Sequence, residues 1–253
     1  MLGKRLINTG GAGACTTNTV QILDPGSTQS TALYRFEDNA NDTSNSTGKF
    51  SKGAVFNGSS SYITTPSVIP TNNFSFSFWI NMSSFPGSSS NQQIFTQNEN
   101  NNRWYIAVYE SGRIQAWNGS STFTTSSSVI NLNQWYNVVY TASSSSGKKI
   151  YVDGTEVLSD ADTNNNTGTA SGNLFIGFGK WYANSLYLNG KLDQVRIFNK
   201  SLSSSEVTQL KNETTSTVNT LQVLGDTSCV AAYAFEGNAN DLSTNYNGTA
   251  SNI

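Results

Sequence analysis

Hydrophobic and polar residues alternate along much of this chain, in short segments that are separated by turn residues. The clearest case is residues 74–82, where every second side chain is large and apolar. Successive side chains of a β-strand point to opposite faces, so this period of two predicts a strand with one face in a core. Shorter runs of the same kind occupy residues 32–36, 103–109, 113–117, 134–140, 149–157 and 173–177.

Residues 190–198 predict a closing strand that is followed at once by a helix. Alternation places Asp193 on one face with Val195 and Ile197, so its carboxylate is expected to turn toward the core. Ser203 and Glu206 have the spacing of a capping box, which predicts a short helix that begins there and ends near residue 212.

Two turn sequences indicate hairpins. Glu110, Ser111 and Gly112 separate two alternating runs, and a glycine in so short a connection favours a hairpin. Asp153 and Gly154 suit a type I′ turn, because glycine readily adopts the positive φ that this turn requires.

The segment GKLDQVRIFNKSLSSSEV at residues 190–207 resembles the closing signature of laminin G-like domains, a branch of the concanavalin A-like lectins and glucanases. The runs AVFNGSSSYI (54–63), FSFSFWI (74–80) and IYVDG (150–154) are similar to other strands of the same family. The resemblance covers about residues 31–212. It implies an all-β, two-sheet antiparallel jelly-roll sandwich with one short C-terminal helix, and it leaves the function open.

The two ends of the chain repeat each other. The sequence AAYAFEGNAND at 231–241 follows the register of ALYRFEDNAND at 32–42, and TLQVL at 220–224 follows TVQIL at 19–23. The two copies lie about one domain length apart along the chain, which predicts tandem domains. We therefore expect an extended N-terminal arm with a short strand at 1–26, a laminin G-like jelly roll at 27–213, and at 214–253 a linker with the first strand of a second, incomplete repeat.

The composition excludes several classes of function. Only 12% of the 253 residues are charged and the net charge is −2, so no electrostatic footprint for nucleic acid is present. No apolar run is long enough for a membrane-spanning helix, and no secretory signal is recognisable at the N-terminus. The chain has no histidine, the usual general base, and it lacks the paired carboxylates of the superfamily's glucanases. We expect a protein that is not an enzyme.

Two acidic residues suggest a structural calcium ion. Related laminin G-like domains often bind calcium near their first and last strands, and the resemblance points to Asp42 and Asp193 as ligands. Carboxylate-rich loops also suit Ca²⁺, which takes six to eight oxygen ligands. The alternative is that Asp193 accepts backbone N–H bonds and that the loop containing Asp42 is simply solvated.

Aromatic residues in predicted loops suggest a sugar-binding site. Sugar faces stack on aromatic rings while the hydroxyl groups need planar hydrogen-bonding partners. Trp181 and Tyr182 are predicted to lie in a loop between two strands, and Arg103 borders an asparagine-rich loop. These three residues are the candidate ligand contacts. Trp104 and Trp117 fit strand alternation and are expected in the core.

The layout as a whole resembles that of bacteriophage structural proteins. It implies a virion protein made in the host cytoplasm, in a tail-fibre, tail-associated or capsid-appendage role. Residues 1–26 would dock on other virion proteins, the sandwich would bind a host-surface glycan, and the protein would form a homo-oligomer. The alternative is a secreted bacterial carbohydrate-binding or adhesion module.

Overall fold

A computed structural model describes residues 48–68, 72–97, 104–118, 121–164, 172–181, 184–214 and 220–253. Two seven-stranded antiparallel sheets dominate this part of the chain, as the alternation and the family resemblance predict. The first half of the chain provides β1 (Ala54–Asn57), β2 (Tyr62–Thr65), β3 (Phe74–Met82), β4 (Asn91–Gln97), β5 (Trp104–Tyr109), β6 (Arg113–Trp117) and β7 (Thr122–Thr124). The second half provides β8 (Tyr136–Ser143), β9 (Gly147–Val152), β10 (Thr155–Asp160), β11 (Leu174–Ile176), β12 (Phe178–Trp181), β13 (Asn184–Tyr187), β14 (Asn189–Phe198), the helix α1 (Ser204–Lys211), β15 (Cys229–Tyr233) and β16 (Thr249–Ser251).

Sheet 1 has the order β1-β14-β3-β8-β9-β10, and β15 also pairs with β14. Sheet 2 has the order β16-β2-β11-β4-β5-β6-β7, while β12 and β13 form a separate hairpin. The core lies between the two sheets. The alternate residues of β3 that face it, from Phe74 to Met82, are fully buried, which confirms β3 as a central core strand. Trp104 is also fully buried and stacks on Phe76 with ring centroids 5.0 Å apart.

Both predicted turns are present. Asp153 and Gly154 have φ angles of 48° and 83° between β9 and β10, as a type I′ turn requires. The connection between β5 and β6 is a single 3-10 turn at Glu110–Gly112, in which Ser111 and Gly112 both have positive φ.

The strand β14 contains a bulge that changes which way Asp193 points. The pairing with β3 passes from Asp193↔Trp79 to Arg196↔Ser77, so β14 has one extra residue here, and Gln194 has a φ of 47°. Leu192, Val195 and Ile197 all belong to the core between the sheets. Asp193 therefore lies on the outer face of sheet 1 beside Trp79, and not on the core face with Val195 as simple alternation predicts.

The C-terminal segment belongs to the same sandwich. β15 pairs with the second half of β14 in sheet 1, and β16 pairs with β2 in sheet 2. Ala231 and Tyr233 are fully buried in the common core. The expected domain boundary at 213/214 is thus corrected, because residues 229–251 complete both sheets instead of starting a second domain. The predicted arm at 1–26 and the predicted first strand at 32–36 lie outside the described residues.

The helix α1 covers the outer face of sheet 1. Ser203 and Glu206 form the predicted capping box, in which each side chain accepts a hydrogen bond from the other residue's backbone N–H. Val207 and Leu210 are fully buried in a second apolar cluster. The cluster also contains Val139, Tyr151, Phe198, Leu202, Val223, Cys229 and Ala232.

Candidate functional site

The outer face of sheet 2 combines aromatic and amide side chains. Ile106, Ile114 and Ala116 point into the core, so alternation turns Tyr105 and Trp117 to the opposite face. These two residues are direct cross-strand partners. Trp117 is half-buried, whereas only 4% of Tyr105 is exposed. The prediction that Trp117 lies in the core is therefore wrong. Trp117 is the last residue of β6, where the alternation turns its side chain outward.

A hydrogen-bond network connects the polar side chains of this face. The Tyr105 hydroxyl donates to Gln115 Oε1 at 2.9 Å, and Asn91 Nδ2 donates to the same oxygen at 3.3 Å. Gln115 Nε2 donates to Thr124 Oγ1 at 3.0 Å. Burial raises the pKa of Tyr105 to about 12, so its hydroxyl stays protonated at neutral pH. The network holds these side chains in fixed orientations.

Two buried polar atoms beside the network lack a hydrogen-bonding partner among the described residues. They are the Gln93 Nε2 donor and the Asn91 Oδ1 acceptor. Gln93 is fully buried, and its Oε1 accepts a hydrogen bond from Thr96 Oγ1. A buried donor or acceptor without a partner costs about 1–3 kcal/mol. A bound water or ligand would recover that energy.

The hairpin β12-β13 packs against the same face. Gly179 lies so close to Gln93 and Thr96 that an added Cβ would overlap the Gln93 side-chain oxygen. Only glycine allows this approach of the backbone. Aromatic contacts hold the base of the hairpin: the Phe178 ring is tilted against Tyr187 and Tyr62, with ring centroids 4.8 Å and 5.3 Å apart.

Charged side chains border the face at the turn between β5 and β6. The Arg113 guanidinium lies 4.7 Å from the centre of the Tyr109 ring and forms a 3.1 Å ion pair with Glu110. Glu110 also accepts a hydrogen bond from the Ser89 backbone N–H at 2.7 Å. The ion pair thus holds the guanidinium beside an aromatic ring at the rim.

The predicted ligand contacts fall near this face only in part. Trp181 is the last residue of β12, paired with Asn184, and not a loop residue as predicted; its side chain lies outside the described part. Arg103 and Tyr182 lie outside the described residues. The sequence analysis did not identify Gln93 and Gln115 as candidate site residues. The alternation in β4 and β6, which turns these two side chains to the outer face, could have indicated them.

Asp193 is buried and hydrogen-bonded to the backbone. The Phe50 N–H donates to its Oδ2 at 2.8 Å, and the Gln194 N–H donates to its Oδ1 at 2.7 Å. Burial raises the pKa of Asp193 to about 7, partly offset by these backbone donors, and the negative charge of Glu236 raises it further.

Calcium at Asp42 and Asp193 stays a prediction. No cluster of three or more acidic, cysteine or histidine residues occurs in the described ranges, so Asp193 would need further oxygen ligands from elsewhere. Asp42 lies outside those ranges. Its counterpart in the repeat, Asp241, uses its carboxylate locally, accepting hydrogen bonds from the Ala232 N–H at 2.8 Å and the Tyr246 N–H at 3.3 Å.

A groove of about 640 Å³ lies between the strands β8 and β9 and the segment 199–204 that leads into α1. Many of its wall residues carry hydroxyl groups, among them Ser143, Ser145, Ser146, Ser201, Ser203 and Ser204. The aromatic ring in its wall, Tyr151, is only 4% exposed, and Lys149 is paired with Glu156 at 2.8 Å. This groove offers hydrogen bonds but no exposed ring for stacking.

Within the described chain, no helix is long and apolar enough to cross a membrane.

Comparison with known families identifies the class of protein. A laminin G-type family profile, described as "Concanavalin A-like lectin/glucanases superfamily", matches residues 57–208. The chain therefore belongs to this superfamily. A search of curated protein sequences found no match.

Solved structures show the same fold at low sequence identity. One is a candidate carbohydrate-binding protein from Bacteroides ovatus, with a TM-score of 0.59 and 15% identity over 79% of this chain and 59% of that protein. Another is domain 4 of AbnA, an extracellular arabinanase of Geobacillus stearothermophilus, solved with arabinotriose, with a TM-score of 0.54 and 22% identity over 65% of this chain and 79% of that one. A heptameric pentraxin from Limulus polyphemus has a TM-score of 0.50 and 17% identity, over 62% and 80%.

Proposed function

We propose that this protein is a carbohydrate-binding module and that its ligand lies on the outer face of sheet 2. The observation that carries the proposal is the half-buried Trp117 on the same face as the hydrogen-bonded side chains of Tyr105, Gln115 and Asn91. Two of the similar structures are described as a carbohydrate-binding protein or as a complex with a sugar, which supports the same class of ligand.

The chemistry of the face suits a sugar. The Trp117 ring can stack on the apolar face of a pyranose or furanose, and amides are planar partners for neighbouring hydroxyl groups. Asn91 is only partly buried, so its amide could exchange hydrogen bonds with a sugar hydroxyl group. Trp181, Tyr182 and Arg103, the contacts predicted from the sequence, remain further candidates for binding the same ligand.

Calorimetry with a panel of oligosaccharides that includes arabinotriose tests the proposal. We expect Trp117→Ala to weaken binding by about tenfold to a hundredfold, the loss expected for one stacked ring. Trp135→Ala is the matched control, because Trp135 is also half-buried but precedes β8 in sheet 1. Equal binding by Trp117→Ala and the parent protein, with Trp181→Ala also unchanged, would exclude this face as the site.

The role on a bacteriophage particle, with residues 1–26 docked on other virion proteins, remains a second and less supported proposal. The similar structures favour a carbohydrate-binding module of either origin. Mass spectrometry of purified particles would test the virion role directly. The non-enzymatic character also stays a proposal, and release of reducing ends from the oligosaccharide panel would contradict it.

A further inference from the structure

A lysine side chain is buried where the two sheets approach each other, beside the ends of β6 and β10. Lys148 lies in β9 on the same face as Ile150 and Val152, which belong to the core, and only 2% of it is exposed. Its Nζ donates to Asp162 Oδ2 and to the Asp162 carbonyl oxygen, both at 2.8 Å. Asp162 lies just after β10 and is only half-buried. The lysine thus reaches from the core to an acidic residue near the surface.

An asparagine amide from the other sheet shares the same carboxylate oxygen. Asn118 directly follows β6 in sheet 2, and only 3% of it is exposed. Its Nδ2 donates to Asp162 Oδ2 at 3.0 Å and to the Asn164 carbonyl oxygen at 2.8 Å. Asp162 Oδ2 therefore accepts hydrogen bonds from the Lys148 amine and from the Asn118 amide. This shared oxygen makes the two nitrogen-bearing groups neighbours, although their strands belong to different sheets.

The oxygen of this amide also has hydrogen-bond donors. The Ser121 N–H donates to Asn118 Oδ1 at 2.8 Å, and the Ser121 hydroxyl group lies 3.3 Å from the same oxygen. Donors at a carbonyl oxygen stabilise the negative charge that develops there when a nucleophile attacks the carbon. The Asn118 amide is therefore held in one orientation, and its carbonyl group is polarised.

We propose that Lys148 and Asn118 form an intramolecular isopeptide bond, with Asp162 as the catalytic base. The site contains the groups that this reaction needs: an amine nucleophile, an amide carbon, a carboxylate in contact with both residues, and donors at the amide oxygen. The fold supplies the proximity, because it holds all of them in one place. This proposal does not depend on carbohydrate binding.

The reaction balances without a further reagent. Asp162 accepts a proton from the Lys148 ammonium group, and the neutral amine attacks Asn118 Cγ. A bond forms between Lys148 Nζ and Asn118 Cγ, while the bond between Cγ and Nδ2 breaks. Asp162 passes its proton to the leaving nitrogen and then accepts the second proton that the attacking nitrogen loses. The released ammonia takes up that proton and leaves as ammonium, so the carboxylate is regenerated.

The surroundings of Asp162 suit both proton transfers. The hydrogen bond from Lys148 lowers the pKa of Asp162, so its carboxylate is ionised at neutral pH and available as the base. The Asp162 side chain is 35% exposed, so the ammonium ion can reach the solvent. The product closes a loop over residues 118–148 and joins sheet 1 to sheet 2 covalently. Such a cross-link restricts the unfolded chain, as a disulfide does.

Mass spectrometry of the full-length protein tests the proposal. We expect the wild type to be lighter than its sequence by one ammonia molecule, and proteolysis to release a branched peptide that joins residue 118 to residue 148. Lys148→Arg and Asp162→Asn should each have the full mass of their sequence. Lys149→Arg is the matched control and should keep the loss, because Lys149 forms a 2.8 Å ion pair with Glu156 on the outer face of the same strand.

Three results would overturn the proposal. The first is a wild type that keeps the full mass of its sequence after prolonged incubation at neutral pH. The second is a loss of ammonia that persists in Lys148→Arg, because it would come from ring closure at the Asn118-Gly119 step. The third is the loss of one water molecule with Lys148 joined to Asp162, which would contradict the roles given to Asn118 and Asp162.

Discussion

The outer faces of the two sheets differ in how they are covered. The outer face of sheet 1 is sealed by α1 and the turn at residues 221–224, which together with the strands form a second apolar cluster. The outer face of sheet 2 is only partly covered, by the hairpin β12-β13, and keeps a network of amides and hydroxyl groups beside Trp117. The comparison teaches that a two-sheet fold can use one outer face for stability while the other stays available for the proposed binding site.

The largest effect is expected from the sealed face. Leu210→Ala removes a fully buried side chain of α1, and such a cavity costs roughly 2–5 kcal/mol of unfolding free energy. Chemical denaturation measures this loss. Oligosaccharide affinity of the folded fraction should stay at the parent value, because the cluster lies on the opposite side of the sandwich. A parallel loss of affinity would show that the two faces are not independent.

On the outer face of sheet 2, we expect a substitution that reduces stability less than Leu210→Ala does and reduces sugar binding more. Gly179→Ala forces the hairpin or the buried Gln93 side chain to shift, and overpacking of this kind costs roughly 1–3 kcal/mol. We expect binding to fall with it, because the hairpin borders the proposed site. Gly87→Ala is the matched control, since an added Cβ there meets nothing within 4 Å. Unchanged affinity in Gly179→Ala would remove the hairpin from the site.

A pH-dependent effect is expected at the edge of the sealed face, where Asp193 is buried beneath residues 48–50. Its folded pKa of about 7 lies above the ordinary value of 3.8, so the native state binds the extra proton. The contribution to stability is therefore full below about pH 4 and is lost as the pH rises to about 7. At about 1.4 kcal/mol per pKa unit this loss is at most roughly 4 kcal/mol, and Asp193→Asn should remove it, as measured by denaturation at pH 4 and pH 7.5.

Two controls sharpen that measurement. Glu213, buried against Arg196, also has a raised pKa because of its burial, so part of the fall should persist in Asp193→Asn. Calcium binding at Asp193 would stabilise the ionised carboxylate instead, so added calcium would raise the melting temperature of the wild type but not of the variant. An unchanged melting temperature in excess chelator would contradict the calcium prediction.

Local patterns predicted much of this structure. The alternation in β3 fixed its core face, because a strand that is half buried must place apolar residues at every second position. The capping box at Ser203 and the Asp153-Gly154 turn were equally predictable, since each depends on interactions within a few residues. Aromatic residues in predicted loops suggested a carbohydrate ligand, which stays a proposal, but local patterns did not indicate the face that carries the proposed site.

Only the tertiary structure decided three other features. Alternation cannot reveal that β14 has an extra residue, and this bulge moves Asp193 to the outer face. The repeat indicated a second domain, but pairing with β14 and β2 places residues 229–251 in the first sandwich. Trp117 and Gln93 became a candidate site only when the hairpin was placed beside them. Each depends on contacts between residues far apart in the chain, which local patterns do not specify.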